Sequence, residues 1–323
     1  MKFTVPAKAR RRPLLTLFVL AFVTTLVAIP SLFRSGATTR STGEGLLTRT
    51  VSNREDLPNY DIRSDKSAAD RIAAFRSSLN RSAAQTADIR DEFARGEAAL
   101  ATRVPTLKVE YNSDIKIPEV IAPDVSKGRA SLTGASSAKR SDVLKNFLTE
   151  NSELVGVNGN QVRDLKVFSD YTNPDGNLSF VELDQEINGI PVFRGEVKAG
   201  FSKNGEMIRV INNLAPGLDY ESLSNDFGGA SAAVQSAATN IKHKLTAQDT
   251  VQNDAASTDL KTVFGNGDWA TTAEKMYFPT EPGVAIPAWR VLIWEPVNAF
   301  YVIVDAHDGT VLWRKNIGED QTQ

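Results

Sequence analysis

The chain has no cysteine and two histidines, His243 and His307, in 323 residues. Without cysteine there is no disulfide framework, no thiol nucleophile and no thiolate metal site, so a small stapled secreted scaffold is excluded. A zinc hydrolase needs ligands at workable spacing, most simply His-Glu-x-x-His on one helix face. The two histidines lie 64 positions apart and neither is followed by Glu. A serine triad would have to borrow one of the same two histidines, and no Gly-x-Ser-x-Gly elbow is present. His243 falls in an Ala-rich helical stretch and reads as a surface residue, while His307 falls in a hairpin turn and reads as structural. Gly228-Gly229 precedes a helix but lacks the Lys-Ser/Thr partner of a phosphate loop. The carboxylate pairs Asp184/Glu186 and Asp305/Asp308 lack the loop spacing of a calcium hand. No catalytic residue, metal ligand or cofactor site is expected.

Acid is absent from the first 37 residues, where Lys2, Lys8, Arg10, Arg11 and Arg12 precede an apolar run from Leu14 to Phe33 and then Ser35-Gly-Ala37. A basic head, an apolar core and small residues at its end are the layout of a secretory signal. The run of about 20 residues is also long enough to span a bilayer. Residues 1–37 therefore read as a signal peptide cut near Ala37 or as a membrane anchor, and either places the remainder outside the cytoplasm. A cysteine-free exported chain fits a bacterial product. Removing the six basic residues of this segment from the 37 of the whole chain leaves 31 against 39 acidic ones, a formal charge of −8. A basic nucleic-acid footprint is absent.

Residues 38–58, rich in Ser, Thr, Gly and Arg, read as a flexible stalk. From Ser67 to Leu100, Ile72, Phe75, Leu79, Ala83, Ile89, Phe93 and Leu100 recur at helical spacing, which predicts one helix of ~34 residues, about 50 Å long. Extended segments follow over 106–121, closing a helical N-terminal region at 59–123, and the Ser/Gly/Lys-rich stretch 124–140 reads as a linker.

Beyond it the pattern is α+β: two modules, each a helix followed by antiparallel strands. In the first, 141–218, a helix opens at Ser141 with Val143, Leu144, Phe147 and Leu148 on its buried side. Strands follow at about 164–171, 178–187, 190–201 and 206–213, separated by Asn173-Pro-Asp-Gly176, Asn188-Gly189 and Lys203-Asn-Gly205. Asn-Gly and Asp-Gly tolerate the positive φ that tight hairpins require. In the third strand Phe193, Val197, Ala199 and Phe201 are expected on the buried face, with Arg194, Glu196, Lys198 and Ser202 on the wet one. In the second module, 228–317, an Ala-rich helix at 230–245 precedes strands at about 274–279, 287–295, 298–305 and 310–315, and residues 318–323 form a tail. Trp289, Trp294, Tyr301 and Trp313 read either as core or as a peptide-binding face.

The stretch "SFVELDQEINGIPVFRGEVKAGFSKNGEMIRVINNL" resembles the fungalysin/thermolysin propeptide (FTP) motif, with Gln185, Asn188, Gly189, Pro191, Val192, Phe193, Gly195 and Gly205 on its usual positions. "EKMYFP", "PAWRVLIW" and "FYVIVDAHDGTVLWRKN" resemble the PepSY-like second half of such pro-regions, with Trp289, Asp305, His307 and Gly309 as structural motif residues. The extended "TLKVEYNSDIKIPEVI" is similar to the upstream part of bacterial fungalysin precursors. The resemblance implies an exported, non-catalytic propeptide-like protein whose partner is a zinc metalloprotease catalytic domain, in cis or in trans, which it would inhibit or help to fold. No catalytic domain lies within these residues. A truncated precursor of a secreted zinc metalloendopeptidase therefore stays open as an alternative, and so does a membrane-tethered extracytoplasmic binding module anchored through Leu14 to Phe33.

Overall fold

A computed structural model describes residues 57–296 and 298–318, so the expected export segment, most of the stalk and the end of the tail lie outside the described residues. In chain order the elements are β1 (Tyr60–Asp61), α1 (Ala69–Ser78), α2 (Ala83–Arg103), β2 (Leu107–Tyr111), β3 (Pro118–Pro123), α3 (Arg140–Glu150), α4 (Ser152–Val155), α5 (Gly159–Asp164), β4 (Lys166–Thr172), β5 (Leu178–Ile187), β6 (Ile190–Ser202), β7 (Met207–Asn212), α6 (Ala230–Asn240), α7 (Ala247–Thr250), β8 (Lys261–Phe264), β9 (Thr271–Glu281), β10 (Val284–Trp294), β11 (Ala299–Asp305) and β12 (Val311–Asn316). The fold is α+β with mostly antiparallel pairing.

The strands form one continuous ladder of two parts. One part pairs β4–β5–β6–β7–β3–β2; the other pairs β9–β10–β11–β12–β1, with β8 also on β9. The N-terminal end of β6 joins them through a parallel bridge, Val192 to Tyr277. In the first part Leu144, Phe147 and Leu148 of α3 pack on Val181, Leu183, Val197, Ala199 and Phe201, so the helix expected to cover the meander does so. In the second, Val234, Ala237 and Ala238 of α6 pack on one sheet face with Trp289, Val291 and Val302. Phe75 of α1 packs on the other face with Phe278, Ile286 and Ile303. Both faces are covered there, and "VAIPAWRVLIW" accordingly reads as a near-continuous apolar run without strict alternation.

The single long helix is corrected to two. α1 ends at Ser78, Asn80 takes a left-handed φ of 54°, and Ser82 starts α2 with a reciprocal capping box: its hydroxyl accepts from Gln85 N–H, and Gln85 Oε1 accepts from Ser82 N–H. The break lets the halves serve different cores. α1 covers the second sheet, while Leu100 and Val104, in α2 and just after it, join the first core. Ile89 and Phe93 pack on Ile115 and Ile117.

The stretch 124–140 does not behave as a free connection. Leu132 N–H donates to Met207 O at 2.7 Å, Met207 N–H donates to Thr133 Oγ1 at 3.0 Å, and Ser136 N–H donates to Asn204 O at 3.3 Å. These bonds strap residues 131–138 along the start of β7 and its hairpin. The segment 59–123 is likewise woven into the ladder, through β1 on β12 and β3 on β7. The strands expected at 274–279 and 287–295 extend toward each other into a hairpin turning at Pro282-Gly283. The helix expected to reach Leu245 stops at Asn240, just before Lys242 takes a φ of 57°.

Candidate functional site

All the motif-like residues of the first module but Gly205 converge on the point where β6 passes from one sheet to the other. Asn188 and Gly189 both have positive φ, 54° and 78°, the pattern of a type I′ turn whose twist matches the flanking strands. Past the turn Pro191 is exposed and lies opposite Glu186. Val192 enters the second module's core beside Tyr277 and Trp289. Arg194 then adopts a φ of 53°, and the β5–β6 register slips between Asp184 and Glu186. Such a bulge resets which side chains share a face.

Phe193 is therefore corrected. It does not share the face of Val197, Ala199 and Phe201, which lie in the first core. It stacks instead on Phe278 at 5.1 Å and meets Trp313 at 5.3 Å on the far side of the second sheet. Gly195 makes the crossing sterically feasible. A Cβ there would stand 2.7 Å from Val192 Cβ and 3.2 Å from Gln185 Cβ.

Gln185 is 2% exposed and spends its whole amide on the connection to the second module. Its Oε1 accepts from Ala215 N–H at 2.8 Å, and its Nε2 donates to Ala215 O at 3.1 Å and to Tyr220 Oη at 2.8 Å. Gly205 sits in the β6–β7 hairpin at φ 75°, under the Ser136 strap.

Sequence reasoning missed the charged side of this junction. Arg63, just after β1, pairs with Asp61 at 2.7 Å and Asp114 at 3.0 Å, with its guanidinium 5.1 Å from the centroid of Phe278. Arg194 also reaches Asp114, at 3.2 Å, and lies over Phe193 and Trp313. Each such cation–aromatic contact is worth roughly 0.5–2 kcal/mol. The cluster ties β1, the 112–117 loop and β6 into one knot. Its only signal in the sequence was a large cation between Phe193 and a glycine.

The second-module residues form separate local groups. Trp289, 3% exposed, donates its indole N–H to Phe227 O at 2.6 Å. Trp294 instead meets the exposed Trp269 edge-on at 4.9 Å, and Tyr301 lies under Arg290. Asp305 Oδ1 accepts from His307 N–H at 2.7 Å within the β11–β12 turn, and Gly309 leaves room for Ser236 of α6. Burial pushes the Asp305 carboxyl up. Asp308 also loses solvation, but hydrogen bonds from Thr310 and Arg71 hold it below the usual range. Arg71 pairs with both carboxylates, at 3.4 Å from Asp305 and closely with Asp308, so the two acids share one cation supplied by α1.

His243 is not a surface residue; its side chain is 14% exposed and lies between Asp249 at 3.1 Å and Glu295 at 3.3 Å. Burial pushes the Asp249 carboxyl up, but hydrogen bonds from Thr271, Thr246 and His243 outweigh it and hold the group below the usual range. A depressed carboxylate contributes stability that is present above the unfolded value and lost as pH falls through the folded one. Urea midpoints should therefore fall on acidification from about pH 5 through pH 3. Asp249→Asn should start lower and lose less over the same window. An equal slope in both proteins would show that this carboxylate does not contribute.

Comparison with known proteins meets this geometry at the same place. Residues 163–214 match the family model described as the Fungalysin/Thermolysin Propeptide Motif, a propeptide domain and not a catalytic one. The matched span runs from α5 through β7 and contains Gln185, the Asn188-Gly189 turn and the whole strand switch. Among solved structures, the Bacillus megaterium YpeB C-terminal domain is 10% identical, over 64% of this chain and 75% of that one, with a TM-score of 0.25.

Proposed function

We propose that this protein is an exported, non-catalytic propeptide-like protein that binds the catalytic domain of a fungalysin/thermolysin-like zinc metalloprotease, in cis or in trans, holding it inactive and assisting its folding. The observation that carries the reading is the propeptide-motif match at 163–214, coincident with a junction that locks two sheets and a connecting loop into one body. Blocking a protease without chemistry requires a surface already in its bound shape, because any ordering on association is subtracted from affinity. Gln185 and the Arg63–Asp114–Arg194 knot supply such preorganisation. Export is inferred from residues 1–37, read as a signal or an anchor.

The test mixes the purified full chain with a fungalysin-like protease domain from the same secretome. Slowed peptide hydrolysis, together with a higher yield of active enzyme when the domain is refolded alongside the chain, is the expected result. A chain that neither binds nor inhibits nor improves refolding overturns the reading.

A further inference from the structure

The outer face of the first sheet holds a hollow of about 340 Å³ that nothing in the described chain fills. Its floor is Gly200, two residues before the end of β6, and its walls are Tyr171, Phe180, Ile208 and Ile211. Tyr171 and Phe180 stack at 5.2 Å, and Tyr171 is 55% exposed.

Three observations make this more than an uneven surface. First, the chain's own packing does not require glycine at position 200. The residue is not in a positive-φ conformation, and an added Cβ would meet Phe180 at 3.6 Å and Ile208 at 3.8 Å, ordinary contact distances. Glycine inside a strand weakens it, and its presence marks places where a ligand or another backbone comes close. Second, from Gly195 to Ser202, beyond the bulge, β6 keeps the in–out alternation of a half-buried strand, and Gly200 is the one position of its outer face there without a side chain. Third, Arg209 stands opposite Gly200 in the β6–β7 register. It is exposed and makes no ion pair within 4 Å among the described residues, whereas Lys198 beside it is held by Glu182 at 3.2 Å. A largely apolar hollow thus has an exposed guanidinium at its rim, one that acts on Glu110 of β2 through space but is held by no carboxylate within 4 Å among the described residues.

We infer that this hollow receives an apolar side chain followed by a carboxylate, presented by an extended segment of a partner polypeptide. The inference rests on the reading above only in taking that partner to be the protease domain. The apolar side chain would fill the space over Gly200 against the Tyr171–Phe180 stack. The carboxylate would take the Arg209 guanidinium, whose planar fork suits it.

The test titrates the isotope-labelled full chain with two capped dipeptides, Ac-Phe-Asp-NH2 and Ac-Phe-Lys-NH2, following the Gly200 and Arg209 amides by NMR. The acidic peptide should shift both amides and bind at least 10-fold more tightly than the basic one. Gly200→Leu should abolish the shifts, and Arg209→Glu should reverse the preference between the peptides. The second variant changes an exposed side chain, so it decides the matter even if the first does not fold. Absence of shifts at millimolar peptide, or shifts unchanged in both variants, overturns the inference. The same variants in the protease assay separate the two readings. If the parent chain inhibits and Gly200→Leu inhibits equally, the hollow is wrong and the propeptide reading stands. If the acidic peptide binds at Gly200 but the parent chain leaves the protease untouched, the propeptide reading is wrong and the hollow stands.

Discussion

Replacing Gln185 with alanine should lower stability by about 3 kcal/mol or more, because it strands several buried groups at once. The N–H and C=O of Ala215 and the hydroxyl of Tyr220 all depend on this one amide. A buried polar group left without its partner costs roughly 1–3 kcal/mol. Tyr220 is the group most able to turn toward solvent, being only partly buried. For a domain of this size each kcal/mol lowers Tm by about 2–4 °C, so a fall near 8 °C is expected in calorimetry. The second expected effect is local. Amides at 213–220 should lose hydrogen-exchange protection while those of β10 and β11, which are paired within their own sheet, keep theirs relative to global stability. Uniform loss of protection would mean that Gln185 acts through the core and not through the connecting loop. If the propeptide reading holds, inhibition should weaken more than stability does, since the loop sets how the two sheets are held.

Much of this junction was legible in the residues. Asn-Gly turns, period-two alternation over β5–β7 and a short amphipathic helix ahead of them specify a covered meander, and each signal is local. The misreadings share a different cause. Phe193 was assigned to the wrong core because alternation counts residues, and the bulge at Arg194 changes the count without leaving a sign beyond the following glycine. The long helix was read through Asn80 because Leu79 and Ala83 keep helical spacing across the break. What ends α1 is a demand from elsewhere, two cores that one straight helix cannot reach together. Likewise β1, two residues long, and β8 carry too little pattern to stand out, and exist because β12 and β9 offer free edges. His243 looked like a surface residue because its two carboxylate neighbours come from α7 and from just past the end of β10. Local signals name the elements; contacts distant in sequence decide where they stop and which face they show.

The same distinction predicts a large effect at Gly205, where a turn signal hides a tertiary contact. In the hairpin alone, Gly205→Ala would cost about 1–2 kcal/mol for holding a non-glycine residue at φ 75°. Here the added Cβ would also come 1.9 Å from the backbone oxygen of Ser136, which cannot rotate away as a side chain would. The strap over 131–138 must lift, and with it go the bonds from Leu132 to Met207, from Met207 to Thr133 and from Ser136 to Asn204. A total loss of about 4–5 kcal/mol is expected, taking ~1 kcal/mol for each of the three displaced bonds that water replaces only in part. Gly189→Ala is the control. It has nearly the same φ, 78°, but nothing within 4 Å of the added Cβ, so it should cost only the backbone part. Limited proteolysis reads the difference: Gly205→Ala should be cut within 131–138 under conditions that leave Gly189→Ala and the parent chain intact. If both variants destabilise equally and neither is cut there, the Ser/Gly/Lys-rich stretch is the loose linker its composition suggests, and its bonds to β7 contribute nothing.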